Sequence, residues 1–158
     1  MSLEIERKFL VNNTKFKKLA YQQNTLKQGY LNTDKSRTVR VRIQDDKAYL
    51  TVKGKSNQSG TTRFEWEKEI AISDAENLLL LCEESIIEKI RFLIKNDHLI
   101  FEVDEFYGDN NGLIIAEIEL NSENESFHKP TWLDKEVTGD SKYYNSNLSK
   151  NPFKNWVL

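Results

Sequence analysis

One cysteine, two prolines and six glycines in 158 residues already exclude several kinds of protein. A lone Cys82 can build neither an intrachain disulfide nor a cysteine-based zinc site; set in "ENLLLLCEE", it is expected to be a buried helix residue. No run of about 18 apolar residues occurs, and the chain enters the charged "EIERK" stretch without the apolar segment of a leader peptide. A cytoplasmic protein with no membrane partner is expected. Net charge is also lacking: 23 basic against 25 acidic residues, a formal −2, argues against a broad nucleic-acid-binding surface.

What is present is charge of both signs in quantity. At 38% hydrophobic and 30% charged residues the composition is that of a folded, charge-rich protein. A chain of this length suits one domain, residues 1–158, that buries roughly 70% of its unfolded surface. The periodicity predicts many short strands with a few helices between them. Strands are read at 4–11, 25–31, 37–44, 47–53, 62–70, 86–95, 98–106 and 112–120, with Asp45-Asp46 as a tight hairpin turn. "NTKFKKLAYQ" carries Phe16, Leu19 and Ala20 at helical spacing, and "SDAE" at 73–76 has the Ser-x-x-Glu form of a capping box before a leucine run. After Pro130 the pattern is helical and turn-like, with the terminal Trp156 expected to pack on the body of the protein.

The polar faces of these strands are unusual. Glu4, Glu6 and Lys8 share one face; Arg40 and Arg42, Lys53 and Lys55, Glu65 and Glu67, Lys89 and Arg91, Glu102 and Asp104, and Glu117 and Glu119 repeat the device in later strands. Two like charges two positions apart on a strand are about 6.6 Å apart on one side of the sheet. At an effective dielectric near 20 they repel by about 2.5 kcal/mol, and a solvated face would normally mix signs. One such pair is ordinary surface; seven in order point to separate tasks for acids and bases.

An antiparallel barrel gathers all of these faces. If the eight strands close, the charged faces line the interior and the apolar faces pack outward under helices, giving an α+β protein built on an eight-stranded antiparallel β-barrel. So many charges in one interior require a highly charged guest. Clustered carboxylates suit a hard divalent cation such as Mg²⁺ or Mn²⁺, and clustered Arg and Lys suit phosphate oxygens. A polyphosphate chain with its metal ions satisfies both sets. By alternation Tyr30 and Gln28 also face this interior.

The ordered series "EIERK", "RVR" (40–42), "KGK" (53–55), "RFEWE" (63–67), "KIR" (89–91), "EVD" (102–104), "EIE" (117–119) and "KEVTGDSKYYN" (135–145) resembles the CYTH superfamily, the triphosphate tunnel metalloenzymes, over nearly the whole chain. The resemblance implies a tunnel that binds a triphosphate and metal-dependent hydrolysis of its terminal phosphoryl group, and leaves the substrate open; because the lining, Tyr30 and Tyr49 apart, offers little aromatic or amide surface for gripping a base, inorganic tripolyphosphate is the expected substrate. It implies Glu4, Glu6, Asp104, Glu117 and Glu119 as metal ligands. Lys8, Arg40, Arg42, Lys53, Lys55, Lys89 and Arg91 are implied as phosphate ligands. Glu102, Asp104 and Lys8 are placed at the reacting centre, with Glu65 and Glu67 as supporting acids. Relatives with similar tunnels include organic triphosphatases and class IV adenylyl cyclases, and a non-catalytic polyphosphate-binding module remains a further alternative.

Competing signals are weak. "GKS" at 54–56 ends like a phosphate-binding loop, but Tyr49 stands where its first glycine is needed and no helix follows. His98 and His128 lack the spacing of a metal pair and read as surface residues.

Overall fold

The computed structural model describes residues 3–156. Nine strands run in chain order: β1 (Leu3–Val11), β2 (Gln22–Asn32), β3 (Arg37–Gln44), β4 (Lys47–Gly54), β5 (Thr62–Ile70), β6 (Glu83–Asn96), β7 (Leu99–Phe106), β8 (Ile114–Glu119) and β9 (Leu133–Glu136). Three helices lie among them: α1 (Phe16–Leu19), α2 (Ile72–Leu79) and α3 (Asn145–Lys150). The sheet order is β5-β4-β3-β2-β6-β7-β8-β1, and β1 pairs back onto β5 through Leu3↔Phe64 and Glu4↔Arg63, so the sheet closes into an eight-stranded antiparallel barrel. Among the described residues no helix is long and apolar enough to cross a membrane.

Two tight turns set the register of consecutive strands. Gln44 faces Lys47 and Asn96 faces Leu99, so each hairpin has a two-residue loop. The first loop residues, Asp45 and Asp97, have φ of 53° and 58°, the left-handed conformation that turns matched to strand twist require. His98 is thus a turn residue, 2.7 Å from Glu125, and belongs to no metal cluster.

The barrel is inside out, as the alternation predicts. Phe9, Phe92, Phe101, Val103, Ala116 and Ile118 point outward into a cluster covered by Phe16 and Trp132. A second outer cluster, with Val41, Ala48, Ile43 and Leu50 from the barrel, lies under Ala75, Leu78 and Leu79 of α2. A third cluster fills one end of the barrel from within. Ile87, Phe106, Leu113 and Ile115 close there on Val137, Tyr143 and Leu148 of the C-terminal segment, and Trp156 packs edge-on to Tyr143 at 5.3 Å.

Local details differ from the sequence reading for identifiable reasons. The capping box at 73–76 does not form: α2 starts at Ile72 with Ala71 in the cap position and no side-chain cap, because Ile70 and Ile72 both pack in the outer cluster and fix where strand gives way to helix. The leucine run is not all core. Leu80 and Leu81 are exposed, and Cys82 lies beyond the helix, half-buried, with its Sγ donating to the Leu78 carbonyl at 3.4 Å. α1 is a single turn that buries Phe16 and leaves Leu19 exposed. The segment after Pro130 contains β9, which pairs with β1 at Phe9↔Glu136 and Val11↔Leu133, along the part of β1 that β5 does not reach.

Candidate active site

Each interior side chain is placed by the pleat. Because pairing is in register, residues facing inward on one strand stand beside inward residues on the next: Arg40 opposite Tyr30 and Thr51, Arg42 opposite Gln28, Lys53 opposite Glu65, Glu4 opposite Arg63. On the other side Glu6 is opposite Glu119, Lys8 opposite Glu117, and Glu102 opposite Glu117. The result is an acidic wall on β1, β7 and β8 facing a basic wall on β3 and β4 across a cavity of about 510 Å³.

Of the residues picked out from the sequence, Glu4, Glu6, Lys8, Arg40, Arg42, Lys53, Glu65, Glu67, Arg91, Glu102, Glu117 and Glu119 line this cavity. Lys89 and Asp104 do not; they form a buried ion pair of 2.7 Å, and Arg91 grips the same carboxylate with two bonds of 2.7 and 2.9 Å. Both oxygens of Asp104 are therefore occupied. Lys55 is not brought in either: β4 ends at Gly54, and Lys55 lies exposed in the following loop. Gln28 is fully buried and accepts a hydrogen bond from Arg42 Nε at 2.8 Å.

Several lining residues were not assigned from the sequence. Arg63 continues the inward face of Glu65 and Glu67 and lies 3.7 Å from Glu4, so alternation alone could have found it. Tyr144, Asn145 and Ser146 also line the cavity. They come from the C-terminal segment, where no strand period marks an inward face. Asn145 Oδ1 accepts from Lys89 Nζ at 2.9 Å, and the Tyr143 carbonyl accepts from Lys8 Nζ at 3.4 Å.

The two walls are electrostatically incomplete in opposite senses. Burial, followed by the Glu117 and Glu4 carboxylates, holds the Glu6 carboxyl well above the usual range. Burial pushes Glu117 up as well, but Lys8 and a hydrogen bond from Glu6 outweigh it and hold Glu117 well below. Of the two neighbouring carboxyls, a proton therefore favours Glu6 over Glu117. Glu119 is raised by burial and by Glu4 and Glu102. Across the cavity, burial together with Arg40 and Arg63 pulls Lys53 down to about 8, although Glu4 stands 3.2 Å away. Burial and the neighbouring Arg40 and Arg91 lower Arg42, which among the described residues pairs with no carboxylate. Arg40 leaves its Nε buried without a hydrogen-bond partner.

A buried cation without an anion, and a buried donor without an acceptor, are costly unless a guest satisfies them. On this side the missing guest is an anion with several acceptor oxygens. On the other side Glu4, Glu102 and Glu117 have cation partners, whereas among the described residues Glu6 and Glu119 pair with none. Among the described residues no three acidic side chains converge into a ready-made metal cage. Mg²⁺ and similar hard cations nevertheless need only one or two carboxylates when phosphate oxygens and water complete the shell, and the opposed pair Glu6/Glu119, with Glu117 next on β8, supplies them. The donor set fits such an ion.

Comparison with known proteins agrees with this layout. The CYTH domain model matches residues 2–152. The chain is 50% identical over 157 residues to an inorganic triphosphatase of Acetivibrio thermocellus, covering 99% of each protein. It is 36% identical over 150 residues to an inorganic triphosphatase of Nitrosomonas europaea, covering 92% of this chain and 96% of that one. A solved inorganic triphosphatase structure superposes with a TM-score of 0.65 at 34% identity, covering 92% of this chain and 97% of that chain.

Proposed function

The chain belongs to the CYTH domain family, and from that membership and its two unsatisfied walls we propose that it is a metal-dependent triphosphatase that hydrolyses the terminal phosphoryl group of inorganic tripolyphosphate. The observation that carries the proposal is the pairing of opposite deficits in one cavity: among the described residues, Arg42 has no acid partner and Arg40 Nε no acceptor on one wall, and Glu6 and Glu119 face each other without a cation on the other. A linear polyphosphate with its divalent ions supplies what each wall lacks. Aromatic surface for an organic group is sparse, with Tyr30 and Tyr144 the aromatic residues lining the cavity.

Glu4, Glu6, Glu117 and Glu119 hold the metal, which is Mg²⁺ or Mn²⁺ by the hardness of its ligands. When bound, such an ion neutralises phosphate charge and lowers the pKa of a coordinated water. Arg40, Arg42, Lys53 and Lys8, with Arg63 and Arg91, bind the phosphate oxygens, the arginines through forked guanidinium contacts. Asp104 takes no part as a ligand: committed to Lys89 and Arg91, it fixes the direction in which Arg91 reaches the cavity. Glu102 and Glu119 sit at the exposed end, beside the trailing part of the phosphate chain. Glu65 and Glu67 hold Lys53 and Arg40 at 3.8 and 3.5 Å. Barrel, covering helices and C-terminal segment act together as one unit, and a chain with a single cysteine fits a cytoplasmic location.

The test is phosphate release and product identification with Mg²⁺ or Mn²⁺ across tripolyphosphate, ATP, thiamine triphosphate and pyrophosphate. The proposal expects tripolyphosphate to be cleaved fastest, to phosphate and pyrophosphate. Cyclic AMP as the main product from ATP, with negligible tripolyphosphate cleavage, would overturn it; tight binding without turnover would leave a binding module instead.

A further inference from the structure

The charged lining does not run through the barrel from end to end. The exposed carboxylates Glu67, Glu102 and Glu119 lie at one mouth, whereas Lys8 is buried. Beyond Lys8 the interior turns apolar, and Leu10, Ile87 and Ile115 meet Tyr143 and Leu148 of the C-terminal segment. The cavity is blind at this end.

Tyr144 stands at the boundary. Its ring lies 5.1 Å from Lys8 Nζ and 5.9 Å from the Arg63 guanidinium carbon. Its hydroxyl lies 3.5 Å from where a Cβ on Gly60 would be, and the Gly60 loop is itself locked against Gly139, whose Cα would be 2.5 Å from that same Cβ. A side chain at Gly60 has no room, and φ of 77° and 79° at the two glycines is the region that glycine adopts freely. Lys8 and Arg63 stand only 3.6 and 3.7 Å from Glu117 and Glu4, contacts too long to be good hydrogen bonds, so both cations keep donors for an anion in the cavity.

Resting on the hydrolase reading above, we propose that Tyr144 is the end-stop of the cavity. It lets the free terminus of a linear phosphate chain reach Lys8 and Arg63 and blocks any group attached beyond that terminus. A terminal phosphate carries more charge than an internal one and has no substituent, so two cations flanking a ring select it on both counts. The specificity is then for an unsubstituted chain end. Any organic group or further phosphate must trail out of the exposed mouth. In the reaction, the water oxygen bonds to the terminal phosphorus and the bridging P–O bond breaks with its electron pair on the departing diphosphate. One water proton stays on the hydrogen phosphate product and the other goes to solvent.

The test compares linear tripolyphosphate, cyclic trimetaphosphate and diadenosine triphosphate, whose chain is capped at both ends, on the wild type, Tyr144→Phe and Tyr144→Ala with saturating Mg²⁺ or Mn²⁺. The wild type and Tyr144→Phe should cleave the linear chain at least about 100-fold more efficiently than either of the others. Tyr144→Ala opens a gap beside the Gly60 loop; it should lose about 10-fold on the linear chain and cleave the capped chain faster than the wild type does. Comparable cleavage of linear and capped chains by the wild type overturns the end-stop. So does a folded Tyr144→Ala that keeps the wild-type ratio. If Tyr144→Ala does not fold, the wild-type comparison decides alone. If the wild type cleaves none of the three, it is the hydrolase reading that has failed.

Discussion

Glu6 and Glu119 stand directly opposite each other across the β1–β8 ladder, two carboxylates where a ladder tolerates like charges poorly. With Glu117 and Glu4 also near, the Glu6 carboxyl is held well above its usual range. A cation entering this wall favours its ionised form. Binding of Mg²⁺ or Mn²⁺ at mildly acidic pH should therefore release protons, and the release should fade as pH rises. Calorimetry in buffers of different ionisation enthalpy measures it, and Glu6→Gln should abolish the release. Binding with no proton release would place the metal elsewhere.

Asp104 is the hinge of the buried pairing between Lys89 and Arg91. Asp104→Asn leaves two buried cations without their counter-charge and should lower stability by about 3–5 kcal/mol in denaturant titrations. Burial raises this carboxyl, but Arg91 and Lys89 outweigh it and hold it far below the usual range. Its contribution is thus complete above the ordinary carboxylate value near 3.9 and is lost as pH falls from there. The gap between wild type and variant should narrow only below about pH 4. A gap that stays constant into strong acid contradicts the pairing.

Arg42 has the reverse character. Having no acid partner, it is a charge the ligand-free protein tolerates and the ligand needs. Arg42→Met should melt within about 2 °C of the wild type, or above it, when no ligand is present. Its KM for tripolyphosphate should rise about 10- to 100-fold, the loss of one or two charge-assisted hydrogen bonds. A large loss of ligand-free stability with unchanged KM would make Arg42 structural.

Much of this was legible because a strand repeats every two residues. Glu4 to Lys8, Arg40 to Arg42 and Glu117 to Glu119 each announce an inward face, and the closed barrel brings them together. What alternation cannot give is where a strand stops: Gly54 ends β4, so Lys55 leaves the face its spacing assigns it to. Nor does it show depth. Asp104 and Glu102 have the same parity, yet Asp104 is sealed behind Arg91 while Glu102 meets solvent. The blind end rests on Tyr143, Tyr144 and Leu148, contributed by short turns and α3, which have no period to read.

Lys53 gives a pH signature. Burial with Arg40 and Arg63 lowers it to about 8, so it is charged below that pH and neutral above it. As a phosphate ligand it should give the wild type a full affinity advantage over Lys53→Met at pH 7, shrinking as pH rises through about 8. Binding isotherms for tripolyphosphate without metal, at several pH values, check this. An advantage that stays constant or grows towards pH 9 would remove Lys53 from the phosphate-binding set.

The division of labour between the walls is tested most directly by titrating tripolyphosphate and Mn²⁺ or Mg²⁺ against each other in Glu119→Gln and Arg42→Ala, with circular dichroism confirming the fold. Glu119→Gln, nearly isosteric, should lose about 100-fold or more in turnover at saturating substrate and recover partly, if at all, with added metal. Arg42→Ala should instead need far more substrate while its metal requirement stays near that of the wild type. A folded Glu119→Gln with wild-type turnover and metal affinity would show that the acidic wall is not where the metal acts.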